Sequence, residues 1–247
     1  MEFAITPIAH IESDFEEKFG IPRQAGLVDA LEARIVFEPA FRNRDALRGI
    51  EGFSHLWLIW QFSQAVRPAQ QWTPTVRPPR LGGNERMGVF ATRSPFRPNA
   101  LGLSCVRLLG VEEEEKLGAV LRVGGADLLN GTPIFDIKPY IPYADCRPEA
   151  AAGWTAAPET EEEAVPPGGA LLRVQWQPGT WETVPEEKRE ALSGVLANDP
   201  RPRYQKDPER VYGMRFAGLQ IRFRVNEDEL TVLEVSRDSL NIKERNA

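Results

Sequence analysis

Four prolines, Pro78, Pro79, Pro95 and Pro98, punctuate the segment Arg77–Ser104 (RPPRLGGNERMGVFATRSPFRPNALGLS) and exclude regular helix from it. The flanking sequence obeys the same limit. Up to residue 146 the apolar runs are mostly short and bounded by Gly or Pro, and Leu31–Phe37, Ser54–Phe62, Met87–Thr92, Leu103–Val111 and Ala119–Val123 read as strands. Ser54–Phe62 is apolar on both faces except at its ends, which predicts a central strand buried on both sides. Glu112–Lys116 reads as a surface hairpin tip, and Ala40–Leu47 as a short helix. This half is therefore mainly β, a closed or strongly curved sheet. It shows no βαβ alternation and no GxGxxG, so a Rossmann-type cofactor site is not indicated.

Residues 147–168 change character, being rich in Ala, Glu and Pro and including the run Glu159–Glu163; they read as a linker. The chain thus divides into 1–146, a linker at 147–168, and a small α+β domain at 169–247. In the last, Leu171–Trp176 reads as a strand. Pro185–Ala197 reads as a helix with Glu186 and Glu187 in its first turn and Leu192, Val195 and Leu196 as an apolar stripe. Gln220–Val225 alternates cleanly and forms a hairpin with Leu230–Val235.

Composition narrows the function. Two histidines, His10 and His55, disfavour a His-based zinc site, and Cys105 and Cys146 are too few for a disulfide framework and lack metal-ligand spacing. A reducing compartment is the simplest reading. No run approaches the roughly 18 apolar residues of a membrane helix, and the N-terminus does not read as a secretory signal. The net charge is −6, yet residues 66–107 hold seven arginines against Glu85, and residues 200–225 hold seven basic residues against Asp207 and Glu209. Two basic segments in an acidic chain point to localised anion recognition. The alternative is a set of solvated or glutamate-paired arginines.

Three segments carry candidate chemistry. Arg77–Ser104 combines glycines that let a ligand approach backbone with arginine forks suited to carboxylate, phosphate or a base. In Ala126–Tyr140 (ADLLNGTPIFDIKPY), Asn130-Gly131 signals a turn, while Asp136 and Lys138 share one side of an extended strand with Ile137 facing the core. That pair is either a proton-handling couple or a surface ion pair. Gly20–Gly26 (GIPRQAG) is a shaped loop. His55, beside Ser54, reads as a satisfied core histidine.

In order and spacing, PIAHIES, EKFGIPRQAGL, GFSHLWLIWQF, the Arg77–Ser104 segment and DLLNGTPIFDIKPYIPYAD resemble the TsaA-like (TrmO) family over residues 5–146. The stretch ANDPRPRYQKDPERVYGMRFAGLQIRF resembles the extra domain of bacterial members. The resemblance implies a single-sheeted β-barrel that binds S-adenosyl-L-methionine without a Rossmann fold, and a cytoplasmic homodimer with each cofactor site near the subunit interface. It implies methylation of N6 of threonylcarbamoyladenosine, just 3′ of the tRNA anticodon; the expectation of no metal and no membrane comes from composition. Carried over, the cofactor contacts are Pro22, Arg23, Gln24, Ser63, Gln64, Arg93, Leu103, Asn130, Gly131, Thr132 and Pro133, although Ser63 departs from a histidine found in some members.

The urea-type N6 is a poor nucleophile until its proton leaves, so an acceptor is expected: Asp136, with Lys138 positioning it or contacting the threonyl carboxylate. Arg86 and Arg97 are alternative carboxylate partners. Tyr204, flanked by Arg201, Arg203 and Lys206, is a stacking platform for the single-stranded anticodon loop, and Arg222 and Arg224 extend the track. The rival functions are a non-enzymatic cofactor sensor or RNA-binding module, a methyltransferase on a different small acceptor, and an RNA-cleaving enzyme using Lys and Asp, which the scarce histidines disfavour.

Overall fold

The computed structural model describes residues 4–66, 71–78, 81, 84–156, 171–202, 205 and 207–237. Its first strands are β1 (Ala9–Glu12), β2 (Glu32–Phe37), β3 (His55–Gln61), β4 (Thr75–Val76), β5 (Met87–Gly88), β6 (Leu101–Glu114), β7 (Gly118–Gly124) and β8 (Pro133–Pro139). Six of them pair in the closed order β1-β2-β7-β6-β3-β8, with β8 returning to β1 through Ala9↔Ile134. All six pairings are antiparallel, so the ring leaves no open sheet edge. Small and large side chains fill it together: Ala9, Ala33, Leu56, Leu58, Trp60 and Ile134 are all buried in one cluster.

The outside of this wall has two characters. Across β1, β2, β7 and β6, Arg34 pairs with Glu12 and Glu114, and Arg122 with Glu32 and Glu112. On β6 and β3 the outward residues Leu101, Leu103, Cys105, Trp57 and Ile59 form an apolar strip, which the charged Asp136 and Lys138 of β8 border. The prediction that Ser54–Phe62 is buried on both sides is therefore corrected. Leu56, Leu58 and Trp60 point inward, whereas His55, Trp57, Ile59 and Gln61 stay partly exposed, because a barrel strand has one wet face even when both its edges are paired.

Three other expectations change. Met87–Thr92 is strand only at Met87–Gly88 and then turns in a 3₁₀ segment, Val89–Ala91, closed by Thr92 Oγ1 donating to Val89 O. Ala40–Leu47 is two 3₁₀ turns, Pro39–Phe41 and Arg44–Leu47, because Asn43 leaves helical geometry and caps the Asp45 amide. The hairpin tip contracts to residues 115–117, since β6 runs through Glu114.

Beyond the barrel come α1 (Pro142–Asp145), β9 (Arg173–Trp176), α2 (Thr180–Thr183), α3 (Glu186–Ala197), β10 (Val211–Phe216), β11 (Leu219–Asn226) and β12 (Glu229–Arg237). The last strands form a sheet in the order β10-β11-β12-β9, with β9 parallel to β12. Helix α3 buries Ala191, Leu192, Val195 and Leu196. This second core also takes Phe15, Val28 and Leu31 from the β1–β2 connection. Phe15 meets Phe216 edge-on with ring centroids 5.5 Å apart. Lys188 Nζ donates to Asp14 Oδ2 at 2.6 Å, and Glu17 Oε1 accepts the Arg215 amide at 3.0 Å. Within the expected linker, 147–168, the Trp154 indole N–H donates to Ala91 O at 2.8 Å; the run Glu159–Glu163 lies outside the described residues.

Candidate functional site

The Gly20–Gly26 loop docks by backbone. Gly26 N donates to Gly125 O at 2.9 Å, and a side chain at Gly125 would meet Gly26 Cα at 3.1 Å, so this approach needs glycine. The docked loop presents Gln24, whose Oε1 accepts from Arg93 Nη1 at 2.7 Å. Two residues 69 apart in sequence thereby meet. Arg23 is exposed and donates to Arg201 O at 3.3 Å, and Pro22 is half-buried. Lys18, just ahead of the loop, reaches Gln64 O at 3.4 Å, next to the exposed Ser63.

The Asn130-Gly131 turn sits on the same connection. Asn130 N donates to Phe15 O at 2.8 Å, Asn130 Oδ1 accepts the Ser13 amide at 3.1 Å, and Gly131 N donates to Ile11 O at 2.8 Å. Thr132 is buried and Pro133 pairs with His10 of β1. Residues 10–26 are thus bordered by Asn130–Pro133, Gln64 and Arg93.

Sequence reasoning missed Asp127. Trp60 Nε1 donates to Ser104 Oγ at 3.0 Å, and Ser104 Oγ donates to Asp127 Oδ1 at 2.6 Å, inside the wall. Burial raises the Asp127 carboxyl above the usual carboxylate value. The Ser104 hydroxyl, the Asp127 and Ala25 amides and the Arg93 charge oppose that rise without cancelling it. The available signal was weak: Ser104 shares the inward period-2 positions with Gly102 and Val106, a hydroxyl where an aliphatic residue is expected. Gly102 leaves the space that the Trp60 ring occupies, since a side chain there would come within 2.3 Å of it.

On the outer wall, a β-bulge sets the phase of β8. Trp60 faces Ile134 but Ile59 faces Asp136, leaving Phe135 as the extra residue. Ile134 and Ile137 consequently both point inward while Asp136 and Lys138 both point out. Lys138 Nζ lies 2.9 Å from Asp136 Oδ2, and Asp136 Oδ1 accepts the Ile137 amide at 2.9 Å. Ile59 also faces Leu103, so Asp136, Ile59 and Leu103 form one row across three strands. Leu103 is 56% exposed. Trp57 packs on Tyr140 at 5.8 Å. Cys105 completes this face, its thiol pushed up first by burial and then by the Asp145 carboxylate. His55 is on this outer face, not in the core, with Nδ1 2.9 Å from Ser54 Oγ.

The two basic segments separate by partner. Arg86 Nη1 donates to Thr75 Oγ1 at 2.9 Å, and Arg97 folds back on Thr92 O and Ser94 O at 3.2 and 3.4 Å, stapling its own loop. Arg201 instead closes a two-pronged pair on Asp199, at 2.8 and 3.0 Å, with its side chain only 11% exposed. The open phosphate fork expected there is occupied by a carboxylate. Arg222 donates to Glu234 at 3.1 Å, while Arg224 is exposed on the outer face of β11. Arg203, Tyr204 and Lys206 lie outside the described residues.

Fold and site together define a mainly β protein with few helices, whose glycine-docked loops present arginine and amide side chains around a closed sheet. The model described as the tRNA-methyltransferase O N-terminal domain matches residues 10–146, and that of the TrmO C-terminal domain matches residues 170–238. The chain belongs to the tRNA-methyltransferase O family. It is 41% identical over 227 residues to the tRNA (adenine(37)-N6)-methyltransferase of Escherichia coli K12, covering 91% of this chain and 94% of that one. It is also 41% identical over 245 residues to a Pseudomonas aeruginosa protein bearing the name of an S-adenosylmethionine-dependent methyltransferase, covering 96% and 99%. The crystal structure of TrmO from Pseudomonas aeruginosa superposes with a TM-score of 0.74 at 34% identity, covering 96% of this chain and all of that one.

Proposed function

We propose that this chain transfers a methyl group from S-adenosyl-L-methionine to N6 of the adenine at tRNA position 37, as the name of its Escherichia coli relative describes. The observation that carries this reading is the match of both family models, one on each core, with 41% identity over 91% of the chain. The substrate nucleotide is the threonylcarbamoyl form, as the resemblance in the arginine-rich segment implies.

The donor set suits such a cofactor. A zwitterionic amino acid joined to a nucleoside needs a cation for its carboxylate, amide groups for its polar edges and little protein bulk. Arg93 with Gln24, the Asn130-Gly131 turn and the glycine-docked loop offer these in the 13–26 neighbourhood. We assign Pro22, Arg23, Gln24, Ser63, Gln64, Arg93 and Asn130–Pro133 to cofactor binding, with Leu103 contributing from the outer wall.

S-adenosyl-L-methionine supplies the methyl group as a sulfonium when bound. The chain's task is then to orient the acceptor and remove a proton. Asp136 is the proton acceptor in this proposal, through Oδ2, the oxygen that Lys138 Nζ reaches at 2.9 Å. Ile59 and Leu103 stand beside it in the same row of the outer wall.

Leu103 and Asp136 stand outside the wall whereas Ser104 and Asp127 stand within it. That division fits a site completed by a second copy through the apolar face of Trp57, Ile59, Leu101, Leu103 and Cys105, giving a homodimer. Residues 1–146 are then the methyltransferase domain. Residues 147–168 form the linker, and residues 169–247 are a second domain that binds tRNA through Arg224 and the segment around Tyr204. The compartment is the cytoplasm, and no described helix is long and apolar enough to cross a membrane.

The test is transfer of labelled methyl to two matched tRNAs, one carrying threonylcarbamoyladenosine at position 37 and one plain adenosine. Label in the first alone is expected. Label in neither, with cofactor still bound, would favour a cofactor sensor.

A further inference from the structure

The β4–β5 ribbon carries an aromatic pair that neither core absorbs. Thr75 faces Gly88 and Val76 faces Met87, and Val89 N donates to Pro74 O at 2.9 Å. This register brings Trp72, just before β4, against Phe90, just after β5. Their ring centroids lie 6.0 Å apart with planes tilted by 33°. Phe90 is 72% exposed and Trp72 39%. The ribbon is also anchored: Trp154 donates to Ala91 O at 2.8 Å and Thr92 closes the turn after Phe90, so the rings are held without being covered.

Its charge is one-sided. The described residues between 71 and 107 include Arg77, Arg86, Arg93, Arg97 and Arg107 against Glu85 alone. Arg86 is tied to the ribbon through the Thr75 hydroxyl, a neutral partner that leaves its positive charge in place. Three residues past Phe90, Arg93 holds Gln24 of the docked loop. An aromatic surface with guanidinium groups beside it and a ligand-ready loop at its edge is the chemistry that receives unpaired nucleobases and their phosphates.

We propose that Trp72 and Phe90 form a stacking surface for an unpaired anticodon-loop base next to the methylated nucleotide, with Arg86 contacting the adjoining phosphate. The tilt and spacing of the rings leave no parallel slot between them, so the base lies on the open face of Phe90 with Trp72 bracing the ring from behind. This surface belongs to the barrel half of the chain, whereas the stacking platform expected from the sequence, Tyr204, lies outside the described residues. The inference rests on the tRNA reading above and deepens it.

The experiment measures binding of the modified tRNA by fluorescence anisotropy for the full chain and for Trp72→Ala, Phe90→Ala, Phe90→Leu and Phe90→Trp. Cofactor affinity, oligomeric state and wild-type methyl transfer are measured in parallel. Each alanine variant is expected to weaken tRNA binding about ten-fold. Phe90→Leu should fall with them, because it keeps apolar bulk and loses the ring, while Phe90→Trp should bind as the wild type. Cofactor affinity, oligomeric state and the salt dependence of binding should not move. Unchanged tRNA affinity in Phe90→Ala, with wild-type transfer intact, overturns this inference alone. Loss of wild-type transfer to tRNA overturns the reading beneath it. A change in oligomeric state in the alanine variants would make the pair a contact between protein chains and overturn the stacking role.

Discussion

The two arginine-rich stretches look alike as sequence, +6 over residues 66–107 and +5 over residues 200–225, yet the fold uses them differently. On the barrel side, Arg86, Arg93, Arg97 and Arg107 donate to a hydroxyl, an amide and backbone carbonyls. On the second sheet, Arg201 and Arg222 donate to Asp199 and Glu234. A guanidinium bonded to a neutral oxygen keeps its field, whereas one closed on a carboxylate has most of it cancelled. The lesson is that local charge counts do not locate an anion site until the partners are known.

The largest effect is expected at the second core. Phe15 comes from the barrel side of the sequence but is buried against Phe216. Phe15→Ala should cost about 3–5 kcal/mol in urea unfolding followed on the second sheet. A loss under about 1 kcal/mol would mean that the β1–β2 connection is not part of that core.

A smaller effect separates the arginines by activity. Arg93→Ala should lower methyl transfer about a hundred-fold through misplacement of the bound cofactor and loop. Arg201→Ala should leave the turnover of folded enzyme near the wild-type value and show its effect in thermal melting. Equal losses of turnover in both would erase the distinction.

The least of these effects is a pH dependence. The Asp127 carboxyl is raised above its ordinary value, chiefly by burial. Between the unfolded and folded values the native state binds more protons, so this group favours the fold at low pH and its contribution is lost as pH rises through the raised value. Asp127→Asn should therefore gain stability relative to wild type on going from about pH 4 to pH 7. A gap between the two proteins that stays constant over that range would remove the buried carboxylate from the account.

Elements were legible where periodicity was strong, as in the alternation of β11 and the buried helical stripe of α3. The exposed side of β3 was not, because Trp57 and Ile59 are apolar on a face that faces solvent in one chain. The β8 bulge was invisible too, since nothing in PIFDIK marks Phe135 as the extra residue. The outward pairing of Asp136 with Lys138 was nevertheless legible, because both lie beyond the bulge, where period-2 spacing holds. The meeting of Gln24 with Arg93 depends on the Gly26–Gly125 backbone contact, a long-range event that spacing alone does not fix. The Asp127 network escaped because one serine and one aspartate among aliphatic residues read as ordinary solvent-facing side chains until the sheet closes around them.

The different use of the two arginine-rich stretches is tested by the salt dependence of tRNA binding for Arg86→Gln and Arg222→Gln. The slope of log affinity against log salt should become shallower by about one for Arg86→Gln and stay near the wild-type slope for Arg222→Gln. Equal changes in both slopes, or a change in Arg222→Gln alone, would contradict it.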